Sequence, residues 1–117
     1  MLPHERIAAE MAAERARGIA EHGYGPEHDD ALPDDALGRA AATLAFCSTH
    51  SPERQRHLVP SNAWGLIIAL WPKGWGARFK SEGQRQDLLR AGALLIAAME
   101  RLDRAAAADA AASTPES

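Results

Sequence analysis

The stretch Ser81-Glu82-Gly83-Gln84-Arg85-Gln86-Asp87-Leu88-Leu89-Arg90-Ala91-Gly92-Ala93-Leu94-Leu95-Ile96-Ala97-Ala98-Met99-Glu100-Arg101-Leu102-Asp103-Arg104 decides the fold. Its opening, Ser81 to Gln84, has the form of a capping box, and this predicts the longest helix of the chain over about 82–108. Leu88, Ala91, Leu95, Ala98, Met99 and Leu102 recur at helical spacing and make its apolar stripe. Asp87 falls at the edge of that stripe with Arg90 a turn later, while Glu100, Asp103 and Arg104 are expected to face water. The alanine run 105–112 can extend the helix, and residues 109–117 are expected to form a disordered tail.

The rest of the chain reads as shorter helices joined by proline and glycine. Pro3 suits a first helical turn, and Ile7, Met11 and Ile19 give an intermittent apolar stripe over 3–22, which Gly23 would close. Asp34 is placed to cap a helix from Ala36 to about Ser48, with Leu37, Ala41, Leu44 and Ala45 facing inward. Residues 51–60 read as a basic, proline-bounded loop, and Asn62 as the cap of a short buried helix over 63–70. Trp71-Pro72-Lys73-Gly74-Trp75-Gly76 breaks that helix; its tryptophans would plug a small core or form a ring-stacking wall. No strand and no repeat emerges. The expectation is an all-α bundle of about four helices in one domain, 1–108.

Composition narrows the function classes. At 117 residues and 46% hydrophobic content there is room for one core, and much of that content is alanine, which fills little volume. A single cysteine, Cys47, forms no internal disulfide and cannot build a thiolate-rich zinc site. With no apolar run near membrane-spanning length and no leader-like start, a cytoplasmic chain without membrane contact is expected. The net charge is −3, with nine of sixteen acidic residues within 1–35 and five basic residues within 73–90. An acidic chain with no long basic run makes duplex nucleic acid an unlikely partner.

One stretch resists a packing explanation. Glu21-His22-Gly23-Tyr24-Gly25-Pro26-Glu27-His28-Asp29-Asp30 brings two imidazoles and four carboxylates around two glycines and a proline. On the preceding helix Glu10, Glu14, Arg17 and Glu21 share one sector, which is either the wall of a site or a solvated face of Glu–Arg pairs. No serine has a nucleophile-elbow context, so acyl transfer has no foothold. The residues suit an oxygen-rich site: Glu10, Glu14, Glu27, Asp29 and Asp87 as ligands to Mg2+ or Mn2+, with His28 and Asp30 in catalytic roles. Tyr24, Lys73, Trp75, Arg78 and Lys80 are the matching candidates for holding a nucleotide's ring and phosphates.

Glu14-Arg15-Ala16-Arg17, the run from Glu21 to Asp30, Trp71-Pro72, and Asp87-Leu88-Leu89-Arg90-Ala91-Gly92-Ala93-Leu94 followed by Glu100-Arg101-Leu102-Asp103-Arg104 together resemble a family of small phage and prophage proteins, mostly of unassigned function. More distantly, acidic stripes on packed helices look like the all-α nucleotide pyrophosphohydrolases of the MazG type, a resemblance that implies magnesium held by clustered Glu and Asp. Gly18 stands where the phage family is expected to carry glutamine, and Ala98 where it is expected to carry glutamate. The clean Glu-xx-Glu and Glu-xx-Asp pattern of the pyrophosphohydrolases is not reproduced.

Two functions follow as expectations. The first is a divalent-metal-dependent nucleotide pyrophosphohydrolase. The second is a non-catalytic phage accessory protein that sequesters a nucleotide signal, or binds and blocks a host defence protein through its acidic face. A thin, alanine-rich domain gains core by pairing, so a homodimer or larger assembly is expected through Leu66-Ile67-Ile68 or the long C-terminal helix.

Overall fold

The computed structural model of this all-α protein describes residues 1–49, 69–75 and 81–113. They form four helices: α1 (Pro3–His22), α2 (Pro26–Asp30), α3 (Ala36–Cys47) and α4 (Gln84–Ser113). Among the described residues there is no strand, and no helix is long and apolar enough to cross a membrane. The expected loop at 51–60 and the Leu66-Ile67-Ile68 segment lie outside the described residues.

Local chemistry sets the helix limits. Gly23 adopts φ 71°, which a residue with a Cβ rarely tolerates, and its N–H closes α1 on the Ile19 carbonyl at 3.1 Å. Pro26 then starts α2, one short helix that the sequence reading did not include. At α3 the cap position belongs to Asp35, not Asp34, and its carboxylate makes no capping bond; it accepts from Arg39 Nη1 at 3.2 Å instead. The expected capping box at Ser81–Gln84 is also replaced. Asp87, inside the first turn, accepts from Ser81 Oγ at 2.7 Å and from the Glu82 N–H at 2.9 Å, while Gly83 turns the chain at φ 104°. One buried carboxylate thus ties down the Ser81 hydroxyl and the Glu82 N–H just ahead of α4. α4 runs to Ser113, so residues 109–113, expected in the tail, are helical; residues 114–117 lie outside the described residues.

The three shorter helices pack on α4. α1 runs alongside it in the same sense, since Glu10 meets Arg85 and Arg15 meets Glu100. α3 runs the opposite way: Gln84 Nε2 donates to the Ser48 carbonyl at 3.1 Å, and Arg101 Nη1 reaches the Pro33 carbonyl at 3.2 Å. Arg101 also donates to the Leu32 carbonyl at 2.8 Å, so one guanidinium fastens the α2–α3 connection to α4. At Gly92 a Cβ would lie 2.7 Å from Met11 Cγ, so the Met11 side chain of α1 fills the space that a side chain there would take.

The core is Ala36, Leu37, Ala40, Ala41, Leu44, Cys47, Trp71, Ala91, Ala93 and Ala97. Ala45, expected inside, is exposed. The larger correction concerns α4. Of its expected stripe, Ala91 is buried and Ala98 half-buried, but Leu88, Leu95, Met99 and Leu102 are 47%, 52%, 65% and 69% exposed. The helix has two apolar faces. Packing selects the face of Ala91, Gly92, Ala93 and Ala97, because small residues let α1 and α3 approach closely. Periodicity detects both faces and cannot rank them. Asp87, expected at the edge, is fully buried, and Glu100 and Arg104, expected to face only water, pair with Arg15 and Asp30.

Candidate functional site

A cavity of about 240 Å3 opens where the end of α1, the turn into α2, α3, α4 and the tryptophan turn meet. Glu14, Gly18 and His22, at four-residue steps on α1, line one side together with Arg17. Tyr24, His28 and Asp29 follow from the turn and α2. Leu37 and Leu44 of α3 and Ala93, Leu94 and Ala97 of α4 form the apolar floor, and Arg90, Glu82, Trp71 and Trp75 complete the wall.

The aromatic part of the wall is ordered by ring contacts. His22 and Tyr24 stack with centroids 5.1 Å apart and planes 26° apart, and Tyr24 meets His28 at 4.9 Å. Gly18 lies beneath Tyr24, where a Cβ would sit 3.5 Å from Cδ2, in ordinary contact. Trp71 and Trp75 meet edge to face at 5.6 Å, and Trp71 Nε1 donates to the Trp75 carbonyl at 2.9 Å. Trp71 is buried and Trp75 half-buried, so the first plugs the core while the second keeps surface towards the cavity.

Behind this wall sits a buried hub. Arg15 Nη2 donates to Asp29 Oδ2 at 2.7 Å, its Nε donates to Glu100 Oε1 at 3.1 Å, and its Nη1 donates to the Tyr24 carbonyl. Asp29 Oδ1 lies 3.0 Å from His28 Nδ1. A charge this deep is stable only when paired and hydrogen-bonded, and Arg15 satisfies that by tying together α1, the turn, α2 and α4. On the outer wall Arg17 forks between Glu14 (2.6 Å) and Glu21 (2.7 Å). That fork holds the Glu14 carboxyl below its ordinary value and raises Arg17 further. Arg90 lies 3.7 Å from both Glu82 and Asp87. Cys47 is fully buried, and burial first, with the Asp87 charge second, pushes its thiol up to about 11. It is a protonated core residue at neutral pH and no nucleophile.

The expected site residues are partly gathered here. Glu14, Tyr24, His28, Asp29 and Trp75 line the cavity. Glu10, Glu27, Asp30, Lys73 and Asp87 do not; Arg78 and Lys80 lie outside the described residues. Glu10 is held by Arg85 at 2.6 Å and Asp30 by Arg104 at 2.8 Å, each contact holding its carboxyl below the ordinary value. Glu27 and Lys73 are exposed, and Asp87 caps α4. Among the described residues no group of three or more His, Cys, Asp or Glu side chains stands close enough to hold a metal ion. Of the expected donors for magnesium or manganese, Glu10, Glu14 and Asp29 are each bonded to a different arginine, Asp87 accepts from Ser81 and Glu82, and Glu27 is exposed.

The sequence reading named Arg17, His22 and Trp71 within its candidate stretches but missed Arg15, Arg90 and Glu82 as wall residues. Arg15 carried a readable signal. Ile7, Met11, position 15 and Ile19 form one four-residue series, so Arg15 is a charge placed inside an apolar stripe. Among the described residues the fold and wall define a small helical domain with an aromatic- and arginine-lined cavity. No family model, no curated protein and no solved structure matches the chain.

Proposed function

We propose that the cavity binds a small anionic ligand with a planar ring, of the nucleotide class, and holds it without turnover. The observation that carries this reading is the wall itself: half-buried Trp75 lines the cavity together with Tyr24 and His28, and the Arg90 guanidinium stands in the same wall. Ring stacking is tolerant of the base, and guanidinium forks match phosphate geometry. At about 240 Å3 the cavity falls just under the roughly 300 Å3 at which small-molecule sites usually begin, which favours a mononucleotide over a larger ligand.

Sequestration is preferred to hydrolysis because the wall's carboxylates are already engaged. Glu14 is bonded to Arg17, and Asp29 to Arg15 and His28. A magnesium- or manganese-dependent reaction, with His28 and Asp30 as catalytic groups, would first have to release them. Inhibition of a host protein through an acidic face has less support, since Glu10, Glu14 and Glu21 are each paired with an arginine of this chain.

The test is to incubate the protein with a pool of linear and cyclic nucleotides, with and without manganese, and to count converted and retained molecules by mass spectrometry. Retention without conversion is expected, in either condition, and Trp75→Ala should lose it. Manganese-dependent conversion would replace the proposal with the hydrolase. Neither retention nor conversion would exclude nucleotides and turn the search to a protein partner.

A further inference from the structure

Stacking is indifferent to the base, so any choice among bases must come from a directional hydrogen bond. One acceptor of the cavity wall has its polarity fixed from behind. The Arg15 guanidinium only donates and is charged, so fully buried Asp29, whose Oδ2 lies 2.7 Å from Arg15 Nη2, meets it as a carboxylate. A carboxylate only accepts, and Asp29 Oδ1 lies 3.0 Å from His28 Nδ1. That nitrogen therefore carries a proton and donates. In a neutral imidazole the other nitrogen, Nε2, is then the acceptor. The half-buried His28 ring lines the cavity, and Nε2 has no hydrogen-bond partner among the described residues.

We propose that His28 Nε2 selects nucleotides whose base carries an amino group, with Arg15 and Asp29 as the residues that position it; this rests on the nucleotide reading of the cavity. The other acceptors of the wall are engaged or do not discriminate. Both Glu14 oxygens accept from Arg17, at 2.6 and 3.0 Å, and Glu82 is exposed and lies 3.7 Å from Arg90. The Tyr24 hydroxyl can turn to donate or accept, and His22 is exposed to water that serves either of its nitrogens. The Nε2 lone pair repels a phosphate oxygen, which is left to Arg90, and attracts an N–H. The His28 ring stands 4.9 Å from that of Tyr24, in the aromatic part of the wall, so it meets the base. A base with a carbonyl in place of the amino group sets lone pair against lone pair and leaves Nε2 unmet.

Two measurements on the full chain at about pH 8 test this. Long-range proton–nitrogen NMR spectra of the free protein should show His28 with Nδ1 protonated and Nε2 bare, the reverse of the form a free histidine side chain favours. The His28 signals are those missing from His28→Phe. A proton on Nε2 would overturn the proposal. Tryptophan fluorescence titrations then compare adenosine with inosine monophosphate and cytidine with uridine monophosphate, since each pair exchanges an amino group for a carbonyl. The amino member is expected to bind roughly tenfold tighter. His28→Phe keeps a ring beside Tyr24 but no acceptor, and should bring both ratios to about one. Equal affinities in the wild type, or a preference that survives His28→Phe, would overturn the proposal. So would a loss on 2′-deoxyadenosine monophosphate that inosine monophosphate does not show, because the ribose hydroxyl would then be the donor. Failure of the nucleotide reading looks different: no ligand of the set saturates the signal, and the base preference falls with it.

Discussion

Arg15 occupies the position in α1 where an apolar residue would continue the series Ile7, Met11 and Ile19, and it is buried because Asp29 is buried with it. The pair is asymmetric in its partners, which makes its energetics testable. Asp29→Ala leaves the guanidinium without its one buried counter-charge and should destabilise the fold by about 3 kcal/mol. Glu100→Ala removes a partly exposed partner and should cost less than about 1 kcal/mol. Urea denaturation of the two variants measures both, and an equal or reversed order would contradict the hub. Cys47 gives a second residue-scale expectation. Its thiol, fully buried and raised to about 11, should react with a thiol reagent only as fast as the protein unfolds. Rapid labelling of the native chain would be incompatible with that burial. Residue roles of this kind were hard to read in advance. A carboxylate in a sequence looks equally ready to bind a metal or an arginine, and only packing chose the arginine for Glu10, Glu14, Asp29 and Asp30.

Helix α4 shows what periodicity can and cannot decide for an element. Its existence and its start near residue 82 were legible from the repeating apolar positions, although the capping box that suggested the start does not form. Which face turns inward was not legible, because the alanine face and the leucine face are both apolar. Steric fit decides between them, and at Gly92 the Met11 side chain fills the place of a Cβ. Gly92→Ala should gain about 1 kcal/mol in helix propensity yet destabilise the protein overall, because the new Cβ meets Met11 Cγ at 2.7 Å. Met11→Ala in the same chain should cost less than it does in the wild type, since it opens the space that the new methyl needs. Thermal unfolding of the two single variants and the double variant gives the coupling. A stabilising Gly92→Ala would show that α1 does not press on α4.

At the scale of the fold, the all-α class and three of the four helices among the described residues could be read from proline, glycine and apolar spacing alone. The cavity could not, since it joins α1, α2, α3, α4 and the tryptophan turn across the fold, and no spacing in the chain encodes that meeting. The same tertiary contacts govern the response to acid. Arg85, Arg17 and Arg104 hold Glu10, Glu14 and Asp30 below their ordinary values of 4.5, 4.5 and 3.8. These pairs contribute stability that is fully present above the ordinary values and is lost as pH falls through the lowered ones. Denaturant midpoints should therefore stay level from about pH 7 to 5 and decline below about pH 4.5. A rise in stability over that acid range would contradict the pairing.

If the cavity holds a nucleotide-class anion without help from a metal, binding must persist in chelator. The most direct measurement is the intrinsic tryptophan fluorescence of the wild-type chain, titrated in chelator with a nucleoside monophosphate, a nucleoside triphosphate and a cyclic dinucleotide. A saturable change with at least one of them, abolished by Tyr24→Ala and weakened by Arg90→Ala, is the predicted result. No saturable change with any of the three, or a change that appears only with added manganese, would contradict it.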